Sequence, residues 1–270
     1  MSGGWGRGAL LGHPMFEAQR SLILRLPQNR FPGPADLNAL AGEAVISGGG
    51  AVIRFVPPGP PSREFSDQYE VRIYRDGEVQ TRPENRHDLF NALVWLGFPR
   101  TKSTINRHHF EQIRSHWGAA RRGTARDVLT LFDEGGIVVA CGDPRLAALL
   151  AGFQWKELFW ERRAEVLRAM RFFVFGHAIL EKALEPHKGV TAKALIIGVD
   201  EGFFAAPPAE QLLTVDARAA DYFADPRSLE STQSLSPLPI LGIPGWSPGS
   251  ESEAYYDDRE QFRPGRRAGK

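Results

Sequence analysis

The sequence predicts an α+β fold: a predominantly helical single domain with a small, mostly antiparallel sheet of short strands and a Pro/Gly-rich C-terminal arm. Three observations carry this. Residues 86–117 and 154–185 place apolar side chains at helical spacing. Short apolar runs at 51–56, 69–74, 126–132, 137–141 and 194–199 read as strands bounded by turn residues. The chain of 270 residues, 42% hydrophobic, is large enough to enclose one core. The expected organisation is an irregular N-terminus over 1–14, a globular domain over 15–263 and a frayed tail over 264–270.

Taken in order, residues 1–14 are glycine-rich, and a short helix over 35–44 is opened by Pro34 and carries Leu37 and Leu40. Ser47-Gly48-Gly49-Gly50 lacks the lysine of a phosphate loop and reads as a flexible connection into the strand at 51–56. Residues 69–74 alternate as a half-buried strand, and Asp76-Gly77 reads as the turn of a hairpin continuing through 79–81. Asn85 then caps a helix whose third residue is Asp88. From Leu89 to Leu96 only Asn91 is polar, so the helix is buried and the Asn91 amide needs partners. His87 and Asn91, four apart, share a face.

Gly97 and Pro99 end that helix, and Thr101 is expected to cap the next, running to about Trp117 with Phe110, Ile113 and Trp117 as its apolar row. Asn106 extends that row and faces the interior. Arg100 and Lys102 sit at the positive end of the helix dipole, a conflict that a nearby carboxylate or phosphate would resolve. Residues 126–132 and 137–141 read as two strands joined by a turn at 133–136, with Asp127 opening the first. A short helix at 143–151 precedes a long amphipathic one from Gln154, whose stripe of Trp155, Leu158, Phe159, Val166, Met170 and Phe173 continues to His177, Leu180 and Leu184. A strand at 194–199 and a helix at 207–223 follow. Residues 236–249, rich in Pro and Gly yet apolar, are expected to wrap the domain, with Tyr255, Tyr256 and Phe262 continuing the wrap.

The formal net charge of +1 carries no global footprint for nucleic acid or anionic lipid. It is unevenly spread, because residues 100–126 hold seven Lys or Arg against Glu111 alone. The single cysteine, Cys141, excludes an intrachain disulfide and suits a reducing cytosol. No secretory pattern opens the chain and no apolar run is long enough to span a bilayer, so a cytoplasmic protein without a membrane partner is expected.

Several phrases, RHDLFNALVWLGFPRTKSTIN, RDVLTLFDEGG, FGHAILEKAL, PLPILGIPGW and YYDDREQFRP, occur in order along the chain. Together they resemble one bacterial family, found largely in proteobacteria, a domain of unknown function numbered three thousand and twenty-five in that series. The resemblance covers about Phe31 to Arg267. It implies a bacterial cytosolic protein of one domain and brings no activity, cofactor or catalytic residue with it.

The residues themselves suggest three functions. His177 and Glu181, one helical turn apart, can reach one ion. If they converge with His87, the set suits a divalent metal ion bound by His87, His177 and Glu181. His87, Asp88, Asn91 and Asp127 would then be catalytic, and Arg100, Lys102 and Lys193 would receive an anionic, phosphoester-like substrate. The alternative is a binding protein using the basic zone over 100–126, interleaved with His108, His109, His116 and Trp117, for nucleic acid or an acidic partner. The third is a polar core that only enforces the fold.

Overall fold

The computed structural model describes residues 5–60, 62, 64–115 and 123–265. In chain order its helices are α1 (Arg7–Leu11), α2 (Arg20–Ile23), α3 (Pro34–Ala41), α4 (Tyr69–Asp76), α5 (Arg86–Gly97), α6 (Pro99–Ser115), α7 (Thr124–Gly135), α8 (Pro144–Ala151), α9 (Arg163–Ala169), α10 (His177–Lys182), α11 (Glu201–Ala205) and α12 (Pro208–Ala224). The strands are β1 (Arg54–Val56), β2 (Glu78–Gln80), β3 (Gly136–Cys141), β4 (Met170–Val174), β5 (Thr191–Gly198) and β6 (Ser236–Pro239). The fold is α+β. Among the described residues no helix is long and apolar enough to cross a membrane.

Helix α5 forms as its sequence dictates. Asn85 Oδ1 accepts the Asp88 N–H at 2.9 Å, closing the cap. The side chains from Leu89 to Trp95 are buried, with α6, α10 and the N-terminal turns packed around them. Helix α6 starts at Pro99, two residues before the expected Thr101 cap, because its cap comes from another element. Asp216 of α12 accepts the Arg100 N–H at 3.0 Å, and its Oδ1 accepts the Thr101 N–H and the Thr101 hydroxyl, each at 2.8 Å. This carboxylate, 1% exposed, is the anion that the positive helix end called for. Burial nevertheless pushes the Asp216 carboxyl above its ordinary value, against the pull of those donors.

The larger sheet has strand order β4-β3-β5-β6. β3 with β4 and β5 with β6 are antiparallel, and β3 with β5 is parallel. Every residue of β3 is buried, as expected for a central strand covered by helices on both faces. β6 opens the C-terminal arm, which wraps as its composition predicts: Leu238, Ile240, Leu241, Ile243, Tyr256 and Phe262 are all buried.

Several expectations are overturned. Residues 69–74 are helical, not a strand, because α4 is the crossover that lets β2 lie parallel to β1. The Tyr69, Val71, Ile73 alternation was too short to separate the two periods. Gly77 is the left-handed C-cap of α4 (φ 71°) rather than a hairpin turn. Residues 126–132 are likewise helical: Ala125, Val128, Leu129 and Phe132 lie three and four apart, and α7 passes straight into β3 without the expected turn at 133–136. The long helix from Gln154 breaks at Ala169, where residues 170–174 become the edge strand that completes the hydrogen bonding of β3. The N-terminal segment expected to be irregular contains α1, anchored by buried Leu10.

The glycine loop at 47–50 is packed rather than free, since a Cβ at Gly48 would lie 2.6 Å from the Arg107 nitrogen. Asn106 Oδ1 accepts the Gly48 N–H at 3.1 Å, so this second amide faces inward as expected. His116, Trp117, Arg121, Arg122 and 266–270, within the tail expected to fray, lie outside the described residues.

Removing the Asp216 cap tests the α6 to α12 junction. Asp216→Ala strands two backbone donors, while the Thr101 hydroxyl keeps the Asp216 carbonyl oxygen at 3.0 Å, and is expected to cost about 2–3 kcal/mol, with Asp216→Asn costing less, as read from urea unfolding midpoints.

Candidate functional site

The heads of α5 and α10 meet. His87, in the first turn of α5, and His177, the first residue of α10, are 90 positions apart in sequence, yet their Nε2 atoms lie 3.1 Å apart. Their rings cross at 76° with centroids separated by 4.4 Å. Gly176 makes this possible: a Cβ there would fall 2.5 Å from the Glu134 carbonyl oxygen and from the Gly136 nitrogen. That close approach brings His177 against the last turn of α7, where Glu134 Oε2 lies 3.4 Å from His177 Nε2. One ligand atom each from His87, Glu134 and His177 falls within 4.8 Å of the others. Behind His87, its Nδ1 donates to Glu181 Oε2 at 3.2 Å. In the neutral ring this bond places the proton on Nδ1 and leaves the Nε2 lone pair facing His177. The hydrogen bond from His177 holds the Glu134 carboxyl below its ordinary value. His177 is 4% exposed, and its Nδ1 has no hydrogen-bond partner among the described residues.

The pair borders a cleft of about 320 Å³ whose walls include Tyr69, Asp88, Asn91, Asp133, His109 and Arg126. Beneath it lies a buried polar network. The Lys102 ammonium, 5% exposed, donates to Asn91 Oδ1 at 2.9 Å and Asp133 Oδ1 at 2.7 Å. It also sits 5.2 Å from the centre of the Trp95 ring. Asn91 Nδ2 in turn donates to the Tyr69 hydroxyl oxygen at 2.8 Å. Burial, the largest single influence, would raise the Asp133 carboxyl, but the Lys102 ammonium together with the nearby histidines holds the group below its ordinary value. Burial pushes the Tyr69 hydroxyl well up, so it stays a neutral donor. At the rim, Asp88 accepts from the backbone N–H and the guanidinium of Arg82. Those bonds overcome the upward push of burial and keep Asp88 ionised.

Of the expected site residues, His87, Asp88, Asn91 and His177 share the cleft, and Glu181 stands behind His87. Asp127 does not join them. In a helix, Arg126, Thr130 and Asp133–Glu134 repeat on the cleft side, while Asp127, one step round α7, is exposed. Lys102 is consumed by Asp133 and Asn91, which withdraws it from the basic surface of α6. Neither Arg100 nor Lys193 lines the cleft: Arg100 is at the Asp216 cap, and Lys193 lies in β5 opposite Gly136. The reading of 133–136 as a turn hid Asp133 and Glu134; the three-and-four spacing of apolar residues in α7 was the signal that could have found them.

The Lys102–Asp133 pair gives a pH-signed prediction. In the parent, Asp133 sits below its ordinary value, so its contribution is complete above the ordinary carboxylate range and is lost as pH falls through the lowered value. Lys102→Met leaves burial as the dominant influence and is expected to cost about 3–5 kcal/mol. Stability of the variant should then fall, not rise, as pH increases through the carboxylate range, as read by urea unfolding across about pH 3–8.

None of the curated proteins and none of the solved structures gives a significant match to this chain. A family model does, over residues 53–266, a span that includes both histidines, Glu134, Glu181 and the network beneath them. The chain belongs to the family described as protein of unknown function (DUF3025).

Proposed function

We propose that His87, His177 and Glu134 hold one divalent metal ion, and that the chain is a metal-assisted hydrolase of an anionic, phosphoester-like small molecule. The imidazole pair supports this reading. Ligand bonds of about 2.0–2.1 Å put two nitrogens on one ion roughly 3.0–3.4 Å apart, and the two Nε2 atoms are 3.1 Å apart. Two imidazoles and a carboxylate leave open coordination positions, the arrangement of catalytic rather than structural sites. The charge of the cleft agrees. Lys102 neutralises Asp133 and Arg82 neutralises Asp88, which leaves Glu70 and Glu134, with Glu181 close by, against Arg126.

Held by His87, His177 and Glu134, a divalent ion would lower the pKa of water toward neutrality and so would supply a nucleophile. The remaining roles fall to side chains. Glu181 orients His87 through Nδ1 and raises its basicity. Glu134 takes the ligand position first assigned to Glu181, because Glu181 faces the opposite ring nitrogen. The Tyr69 oxygen already accepts from Asn91, so its proton is left to donate to an oxygen that gains charge during the reaction. Asn91 and Lys102 position Tyr69 and Asp133.

Elemental mass spectrometry of untagged protein dialysed against Zn²⁺ or Mn²⁺ tests this reading. One ion per chain is expected, with His87→Ala and Glu134→Ala reducing affinity at least about 100-fold and Glu181→Gln about 10-fold. The parent should then cleave p-nitrophenyl phosphate or its diester only when loaded. A parent that takes up no ion ends the proposal.

A further inference from the structure

The cleft continues away from the histidine pair between α6 and α7, which run antiparallel. Lys102, in the first turn of α6, meets Asp133, in the last turn of α7. Seven residues onward along α6 and seven back along α7 lie His109 and Arg126, and both line the cleft. His109 is 5% exposed, yet its ring has no hydrogen-bond partner among the described residues. Arg126 is half-buried and makes no hydrogen bond or ion pair among the described residues, whereas Arg82 at the same cleft is bound by Asp88. Buried polar groups are ordinarily satisfied within the protein. Here two groups without protein partners line one cavity, where their donors are open to a ligand.

We propose that His109 and Arg126 form an oxyanion subsite that takes a phosphate or carboxylate group of the substrate. A guanidinium presents two parallel N–H donors to such a group, and an imidazole adds a third. Thr130, one turn from Arg126, lines the same wall with its hydroxyl. Glu70 also lines the cleft, and its Oε2 accepts from Asn106 Nδ2 at 2.8 Å. Arg126 lies eight residues before Glu134, about 12 Å along the axis of α7. The substrate is then a small molecule with its hydrolysable bond at the histidine pair and a second, anionic group at Arg126. The assignment of the reacting end rests on the metal-hydrolase reading; the anion subsite does not need the ion.

Isothermal titration of inorganic phosphate, and separately of acetate, into the full chain decides this. Each is titrated into protein stripped with a chelator and into protein loaded with Mn²⁺. Phosphate is expected to bind the stripped protein, with Arg126→Gln weakening it at least about 10-fold and Arg126→Lys less. His109→Gln should also weaken it, and thermal melts verify that each variant is folded. Acetate binding at the same residues extends the subsite to carboxylates, and phosphate binding alone restricts it to phosphoryl groups. Absence of both from the stripped protein, or binding indifferent to Arg126→Gln, overturns the subsite. Anion binding intact in a chain that takes up no metal would instead overturn the hydrolase reading and leave the subsite standing.

Discussion

A buried ammonium holds the centre of this molecule together. Lys102 is almost fully removed from water, and its charge is acceptable there only because Asp133 of α7, Asn91 of α5 and the face of Trp95 meet it at once. The contacts come from α7 and from one face of α5, where Asn91 and Trp95 lie four residues apart. Satisfying one cation therefore fixes how three helices sit against one another. The arrangement also determines what lies above it, because Asn91 passes the constraint to Tyr69 and Asp133 is joined in sequence to Glu134.

The same economy governs the helix ends. The first turn of α6 turns its free N–H groups toward α12, the Thr101 N–H fully buried, and Asp216 supplies the missing acceptor. At α5 the cap is local, through Asn85, and the histidine one turn on is free to face the neighbouring α10. Gly176 brings α10 within touching distance of the backbone at 134–136, and a side chain at that position would separate His177 from Glu134. Packing and chemistry meet at one residue with no side chain.

The polar residues of the cleft differ in how far the fold satisfies them. Asp88, Asn91, Lys102 and Asp133 have direct partners, and their arrangement is complete without a ligand. The lone-pair side of His87, the edge of His177, His109 and Arg126 are served far less. Within a single cleft the fold thus satisfies one set of polar side chains more completely than the other.

Much of this was legible in the residues. The cap and burial of α5, the need of Asn91 and Asn106 for partners, the anion owed to the start of α6, the wrapping arm and the family resemblance all follow from signals contained within a few turns of chain. The errors share one origin. Residues 69–74, 126–132 and 170–174 are short apolar runs that suit helix or strand equally, and the choice was made by what lay beside them: a parallel β2, the end of β3, an unfilled sheet edge. Misreading α7 also concealed Glu134 and moved attention to Asp127. Local chemistry thus determined that His87 would stand at the head of a buried helix, whereas His177, expected inside the long helix from Gln154, heads α10 only because β4 interrupts that helix. Only tertiary packing decided that they face each other, that Glu134 rather than Glu181 shares their Nε2 side, and that Lys102 is core rather than surface. Periodicity and capping act over neighbouring residues, whereas a contact across 90 positions depends on which distant surfaces can be brought together without leaving a charge unpaired.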